Sequence, residues 1–307
     1  MNPAYSVILF TTASGAGYGL LALLGLTSTS VGQSPSLGFA IVAMVIALGL
    51  ITIGLLSSTM HLGHPERAWR ALSQWKTSWL SREGVAAIVT YPFALAFGVT
   101  WSGLYTAPDA VAPLGFITAA LSLVTVFTTG KIYATLKTIR AWHQPLTVPV
   151  YLFFALASGS SLHLALSALF GRDPGAIAPV ALIALVTLAL LKFLYWRAID
   201  AAPREHTMAN ATGLGANVRQ WEVPHTTKNF VQREMGFVVA RRHASRLRGL
   251  FFIVLLCAGL LELAASLIPM LSLAGFVLIF VAAWVERWLF FAQGEHIVTL
   301  FYGNAQA

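Results

Sequence analysis

Two polar side chains flank a short, chemically dense stretch of an otherwise apolar chain. The stretch SSTMHLGHPERAWRALSQWKTSWLSREG occupies residues 57–84 and lies between two long apolar runs, with His61 near its start and Glu83 near its end. A neutral histidine both donates and accepts hydrogen bonds and titrates near neutral pH, and a carboxylate can pass on a proton. The pair suits the binding and protonation of a small lipid-soluble redox ligand such as a quinone. The alternative is that both residues only cap helices or anchor the loop.

The elements that must hold these residues are membrane spans. The chain is 57% apolar and only 10% charged, whereas a soluble domain carries about 25% charged residues. We predict an all-α integral membrane protein, a single membrane domain over 1–307 that forms an eight-transmembrane-helix bundle, because open sheets leave unpaired edge groups in lipid and alternating strands are absent. Each predicted span has roughly the 20 apolar residues needed to cross the hydrocarbon. The spans are 5–26, 37–60, 84–105, 112–133, 147–170, 177–197, 249–271 and 273–301.

Basic residues concentrate on one side of this predicted bundle. The net charge is +8, and 16 of the 19 Lys and Arg residues fall in or beside the loops that follow spans 2, 4 and 6, with Arg172 on the opposite side. The positive-inside rule therefore predicts that these loops and both termini are cytoplasmic, in the inner membrane of a bacterium. Because this topology accounts for the charge, we expect membrane lipid and no nucleic acid as a partner.

The stretch after span 2 also resembles a family signature. The residues HLGHPERAW at 61–69, then Leu72, then SRE at 81–83 are similar to the pattern of the DmsC-type anchor subunits of the dimethyl sulfoxide reductase family. His64 departs from that pattern, in which a small residue such as serine is common. The resemblance implies an anchor that exchanges electrons with quinone. It also implies that His61 and Glu83 handle the quinone and protons, with Arg67 near the headgroup.

The family resemblance further implies two partners, an iron–sulfur electron-transfer subunit and a molybdopterin catalytic subunit. The predicted cytoplasmic loops fit the cytoplasm-facing sulfite dehydrogenases of the family. Residues 211–248 and the N-terminal segment also resemble the anchor subunits of these enzymes. The implied function is therefore sulfite:quinone oxidoreduction with ubiquinone or menaquinone. We predict that 198–248 is a cytoplasmic partner-docking loop, since Arg and aromatic residues are favoured at interfaces. Its candidate docking residues are Arg219, Trp221, His225 and Arg233.

Further ionisable residues lie within the predicted spans. Glu262 and Glu286 fall near the middle of spans 7 and 8, where charge is costly and usually faces the bundle interior. Arg287 is expected to pair with another helix, with Glu262 as the candidate. A buried structural pair and a proton path through Glu262 and Glu286 are both open interpretations. His296 is predicted near the cytoplasmic end of span 8, close to the quinone site.

The cysteine count limits the cofactors of this chain. Cys257 stands alone and cannot supply the ligands of an iron–sulfur cluster or a structural zinc site. We therefore expect no metal ligands here, with the molybdenum cofactor and iron–sulfur clusters in partner subunits only. A haem b between His61 and His296 is left open. Two other functions also remain, a quinol-oxidising anchor of a dimethyl sulfoxide or polysulfide reductase and, in another class, a secondary transporter.

Overall fold

The computed structural model describes residues 3–28, 35–60, 62–203, 206–215, 218, 220–222, 226–227, 229, 232–233, 239–302 and 304. Within this part of the chain, eight helices are long and apolar enough to cross a membrane. The predicted all-helical class and the predicted number of candidate spans are confirmed. The helices are α1 (Tyr5–Thr27), α2 (Leu37–Thr59), α3 (Trp79–Trp101), α4 (Pro108–Ala134), α5 (Thr147–Leu169), α6 (Ile177–Ala201), α7 (Val239–Ala264) and α8 (Leu271–Ala292).

Helices α1 and α5 form the centre of the bundle. In their apolar segments 83% and 72% of the residues are buried, against 22–44% in the other six helices. Gly19 and Gly159 bring the two central helices into backbone contact, because a Cβ atom on Gly19 would lie 1.8 Å from the carbonyl oxygen of Ala155. Small residues allow such close approach between membrane helices. The outer helices present exposed apolar side chains, including Ile53, Ile183 and Val186, as a lipid-facing surface requires.

Several helices begin or end at residues other than those of the predicted spans, for local reasons. Helix α3 begins at Trp79 rather than at 84, because the side chain of Ser78 caps it and accepts a hydrogen bond from the N–H of Ser81 at 3.4 Å. Helix α4 begins at Pro108 rather than at 112, and proline is favoured in a first helical turn.

The last two spans also end earlier than predicted. Helix α7 ends at Ala264 rather than at 271, and a turn that contains Pro269 follows it. Helix α8 ends at Ala292 rather than at 301. A 3-10 helix, Ile297–Tyr302, follows α8 in place of a continued span.

One end of the bundle gathers several connections, and we call it the basic end. Here α3 and α5 begin, and α4, α6 and α8 end. Arg140, between α4 and α5, donates hydrogen bonds of 2.9 and 2.7 Å to the carbonyl oxygens of Ile199 and Ala202 at the end of α6. Ile139 forms an isolated β-bridge with His296 beyond α8. Contacts between distant parts of the sequence therefore fix the geometry of this end.

Candidate functional site

A buried carboxylate lies at the basic end, between α3 and α4. Glu83, in the second turn of α3, is only 4% exposed. The hydroxyl of Thr129 on α4 donates a hydrogen bond of 2.6 Å to Oε1 of Glu83. Burying a carboxylate is costly unless hydrogen bonds compensate, so this position is not that of an ordinary helix cap. The sequence singled out Glu83 but not Thr129.

Three buried tyrosines from three helices lie within electrostatic range of this carboxylate. Tyr18 on α1, Tyr133 on α4 and Tyr151 on α5 all interact with the charge of Glu83. The rings of Tyr133 and Tyr151 stack, with centroids 5.7 Å apart. A tyrosine hydroxyl both donates and accepts hydrogen bonds. Glu83 thus shares the bundle interior with several groups able to exchange protons.

The connection that carries the sequence motif packs back on α3. It contains a 3-10 helix, Pro65–Gln74. The side chain of Leu72 lies so close to Gly84 that a Cβ atom there would be 2.8 Å from Leu72 Cδ2. Arg67 is exposed, and its Nε is 3.7 Å from Glu66. The structure thus places Arg67 on the surface of the connection. His61 lies outside the described residues.

Arg82 ties this connection to the start of α3. Its Nε and Nη2 donate hydrogen bonds to the carbonyl oxygens of Trp75 and Lys76 at 3.0 and 2.6 Å. Its Cζ lies 4.3 Å from the ring centroid of Trp79. Together these contacts hold the loop against the start of α3, close to Glu83 in the sequence.

A lateral groove opens at the same end, between α4 and α5. Its volume is about 540 Å³, and apolar residues including Phe127, Val148 and Leu152 line it together with Lys131 and His143. The Nδ1 atom of His143 lies 2.7 Å from the carbonyl oxygen of Ala134. Pockets for small ligands share this size and this mixture of apolar walls and few polar groups. Sequence reasoning missed the groove, because its polar residues come from the end of α4 and the loop after it.

His296 lies at the basic end but not in a helix, which corrects its predicted place inside the eighth span. Its Nδ1 accepts a hydrogen bond of 3.0 Å from the N–H of Val298. Burial lowers the pKa of His296 from its ordinary value. Its backbone bridges to Ile139, so the residue fastens the chain after α8 to the connection between α4 and α5.

A buried cluster of three charges joins α6 and α8. Lys192 Nζ lies 2.6 Å from Oε1 of Glu286, and Arg287 Nε lies 3.3 Å from Oε2 of the same carboxylate. The side chains of Lys192 and Glu286 are fully buried, and that of Arg287 is 2% exposed. The expected pairing of Arg287 with Glu262 is therefore wrong. A long arginine side chain can fold back to its sequence neighbour, even though adjacent residues leave the helix in different directions.

Glu262 lies elsewhere, near the end of the bundle opposite the basic end. It stands close to the C-terminus of α7 rather than in the middle of a span, since α7 ends at Ala264. Its Oε1 accepts a hydrogen bond from Ser161 on α5. It also lines a cavity of about 500 Å³ with Arg172, Asp173 and Ser272. Glu262 and Glu286 thus belong to two separate sites.

The predicted docking residues are only partly described. Trp221 is 87% exposed, and the backbone N–H of Arg233 donates to the carbonyl oxygen of Asn229 at 3.1 Å. Asn229 also donates to the hydroxyl of Tyr302 at 2.9 Å, which links this loop to the chain beyond α8. Arg219 and His225 lie outside the described residues.

The fold and this site define a multi-pass helical membrane protein with buried ionisable groups inside the bundle. The family model of the DMSO reductase anchor subunit (DmsC) matches residues 1–304, and the chain belongs to this family. It is also 33% identical over 323 aligned positions to a sulfite dehydrogenase subunit of Allochromatium vinosum, covering 98% of this chain and 99% of that protein. The resemblance inferred from residues 61–83 is confirmed. The chain is a membrane anchor subunit of an oxidoreductase complex with catalytic partner subunits. Family membership favours this class over a secondary transporter.

Proposed function

We propose that this chain is the quinone-reactive anchor of a sulfite dehydrogenase whose catalytic subunits face the cytoplasm. Sulfite and water would yield sulfate, two electrons and two protons in a molybdopterin partner. The electrons would pass through an iron–sulfur partner to ubiquinone or menaquinone at the basic end, and two protons would complete the quinol. The observation that carries the proposal is the buried Glu83–Thr129 pair beside the loop with the family motif.

The chemistry of Glu83 supports a proton-donating role. A buried carboxyl group beside a lipid-soluble acceptor can deliver a proton to a quinone oxygen as that oxygen gains negative charge. Thr129 fixes the orientation of the carboxyl group. The groove lined by Phe127, Lys131 and His143 offers an apolar entrance for the quinone from lipid. We also propose His61, Arg67 and His296 as contributors to the quinone site, and a haem b held by His61 and His296 is the alternative cofactor.

The proposed sidedness and docking surface follow from the charge distribution. The loops that carry most of the basic residues meet at the basic end, and the positive-inside rule assigns such loops to the cytoplasm. The exposed Trp221, with Arg219, His225 and Arg233, is proposed to contact the iron–sulfur subunit. The relative, named as part of a sulfite dehydrogenase, supports sulfite as the substrate of the complex.

The proposal is tested on the intact complex, purified through a tag on this chain. Reduction of a soluble quinone analogue by sulfite is compared with reduction of ferricyanide, which takes electrons from the partner subunits directly. We expect Glu83→Gln to lower quinone reduction by about a hundredfold and to preserve ferricyanide reduction. Unchanged quinone reduction in that variant would refute the role of Glu83. Quinol oxidation by dimethyl sulfoxide or polysulfide, without sulfite oxidation, would favour the reductase alternative.

A further inference from the structure

A small cavity lies in the centre of the bundle, between Glu83 and the three-charge cluster. Its volume is about 20 Å³, which is enough for the centre of one water molecule. Helices α1, α4, α5 and α8 all contribute to its wall. Its polar lining consists of Thr11, Thr12, Ser14, Thr129, Tyr151, Ser158 and Arg287.

Two of the lining residues connect the cavity to the two sites. Thr129 lines it and donates to Glu83 at 2.6 Å. Arg287 lines it and pairs with Glu286 at 3.3 Å, and Glu286 in turn holds Lys192 at 2.6 Å. A single water in the cavity would therefore lie between Glu83 and the three-charge cluster, which are not in direct contact with each other in the described structure.

The cavity wall offers both donors and acceptors to such a water. The hydroxyls of Thr12, Ser14 and Ser158 donate to carbonyl oxygens of their own helices at 2.6–2.8 Å, and each keeps lone pairs that can accept. Nη1 of Arg287 and the hydroxyl of Tyr151 are buried without a well-formed hydrogen bond, although the guanidinium lies against the tyrosine ring. Buried polar groups of this kind are commonly satisfied by internal water.

The far side of the cluster leads to the surface at the basic end. Lys192 Nζ lies 4.3 Å from the ring centroid of Trp196, and Arg248 Cζ lies 5.3 Å from the same centroid. Arg248 pairs with Asp200 at 2.6 Å, and the side chain of Asp200 is 59% exposed. The cluster thus stands between an exposed carboxylate and the central cavity.

We propose that the central cavity holds a water molecule through which the Lys192–Glu286 pair re-protonates Glu83 during quinone reduction. This inference rests on the proposed function. Glu83 gives its proton to the reduced quinone oxygen and takes one from the hydroxyl of Thr129. That hydroxyl takes a proton from the water, and the water takes one from the Glu286 carboxyl group, whose Oε2 is buried beside Arg287 without a hydrogen bond in the described structure. Lys192 supplies that proton to Glu286, since its Nζ lies 2.6 Å from Oε1. The pair regains its proton from the aqueous phase at the basic end, and Arg287 keeps its charge throughout and positions Glu286.

The pH dependence of this relay involves the charged and titratable groups around both ends. Those facing Glu83 are Tyr18, Tyr133 and Tyr151. Those facing the Lys192–Glu286 pair are Tyr151, Tyr195, Arg248 and Arg287. A relay that must be loaded with a proton becomes limiting as protons grow scarce, so its loss has a larger effect at high pH.

The test uses a cavity variant with a matched control on the same helix. Ser158→Val replaces a hydroxyl of the cavity wall with methyl groups. Ser160→Val makes the same change at another buried serine, one that donates to its own helix at 2.7 Å and lies off the cavity. Lys192→Met removes a titratable group and leaves Glu286 paired with Arg287. Quinone and ferricyanide reduction by the intact complex are measured from about pH 6 to about pH 9.

We expect Ser158→Val and Lys192→Met to lower quinone reduction about tenfold at about pH 9 and by less at about pH 6. Ferricyanide reduction should be preserved, and Ser160→Val should match the wild type with both acceptors. A high-resolution structure should also show ordered water in the wild-type cavity and none in Ser158→Val. Wild-type pH profiles for both variants, or equal losses with both acceptors, would overturn the relay. If Glu83→Gln also left quinone reduction unchanged, the proposed function itself would fail.

Discussion

Lys192 Nζ and Glu286 Oε1 lie 2.6 Å apart, and neither side chain is exposed. Arg287 approaches the other oxygen of Glu286 at 3.3 Å, so one carboxylate compensates two buried cations. An uncompensated buried charge costs several kcal/mol. Removal of each charge should therefore lower the stability of the protein by a different amount. Glu286 matters most, because it is the counter-charge of both Lys192 and Arg287.

This asymmetry predicts a difference in stability between two neutralising variants. Glu286→Gln leaves two buried cations without a counter-charge and should lower the free energy of unfolding by about 3–5 kcal/mol. Lys192→Met leaves the Glu286–Arg287 pair intact and should cost clearly less. The midpoint of thermal unfolding of the detergent-solubilised protein measures both effects. Equal destabilisation by the two variants would contradict the central place of Glu286.

Adjacent threonines on α4 offer a sharp test of the link to Glu83. Thr129 and Thr128 are each 6% exposed, and both donate to the carbonyl oxygen of Thr125, at 2.9 and 2.8 Å. Thr129 alone of the two bonds Glu83 in the described structure. Thr129→Val should slow quinone reduction by the complex about tenfold, since a hydrogen bond to a charged group is worth about 1.5–3 kcal/mol.

Thr128→Val serves as the control for that substitution, because it removes the same atom from the same helix. Its quinone reduction should stay within about twofold of the wild type, since a change of nearly equal volume that breaks no contact with Glu83 should have a small effect. Both rates are measured with sulfite as donor and a soluble quinone as acceptor. Similar losses of quinone reduction in the two variants would show that the hydrogen bond from Thr129 to Glu83 does not contribute to that reaction.

The contact between the two central helices predicts that the effect of a glycine substitution on stability depends strongly on its position. A Cβ atom on Gly159 would lie 2.2 Å from the carbonyl carbon of Gly19, so Gly159→Ala must push α1 and α5 apart and should cost about 1–3 kcal/mol. Gly49→Ala on α2 meets no atom within 4 Å and should be neutral or stabilising by up to about 1 kcal/mol. The midpoints of thermal unfolding of the two variants measure this difference in stability. Equal midpoints would show that the α1–α5 interface is loosely packed.

Burial of His296 predicts acid sensitivity of the chain after α8. Its pKa in the folded protein lies below the ordinary value of 6.5, so the folded state binds fewer protons at this group than the unfolded state. Its contribution to stability is therefore complete above about pH 6.5 and declines as the pH falls towards the folded-state pKa. The protection factors of residues 297–302 against hydrogen exchange, which are corrected for the pH dependence of the intrinsic rate, should fall on acidification through this range.

His296→Asn is the control for the acid effect, because an asparagine oxygen can also accept from the N–H of Val298 but does not titrate. The protection factors of the same segment in this variant should depend less on pH. An identical loss of protection in both proteins would assign the acid effect to another group at the basic end.

The sequence alone was sufficient for the fold class and for singling out Glu83 as a notable polar residue. Runs of about 20 apolar residues define spans. The number of spans is still predicted correctly when each end is misplaced by several residues. The ends themselves depend on local caps, such as Ser78 before α3. After α8 the chain passes through His296 into a short 3-10 helix, Ile297–Tyr302, rather than continuing the span.

The partners of the buried charges could not be read from the sequence. Which faces of α6 and α8 meet depends on the packing of the whole bundle, so the Lys192–Glu286 pair emerges only in three dimensions. One signal was present, because a lysine inside an apolar span requires a partner in the bundle interior. Thr129 gave no comparable signal, since threonines are common in this part of α4.

The central position of α1 has a consequence for how the protein is made. α1 precedes the other seven spans in the chain, yet it is enclosed by helices that follow it, including α5 and α8. During synthesis its hydroxyl-bearing face, with Thr11, Thr12 and Ser14, is therefore exposed to lipid until these later helices have been inserted. A chain that stalls before α8 would display this face to the insertion machinery and to membrane proteases.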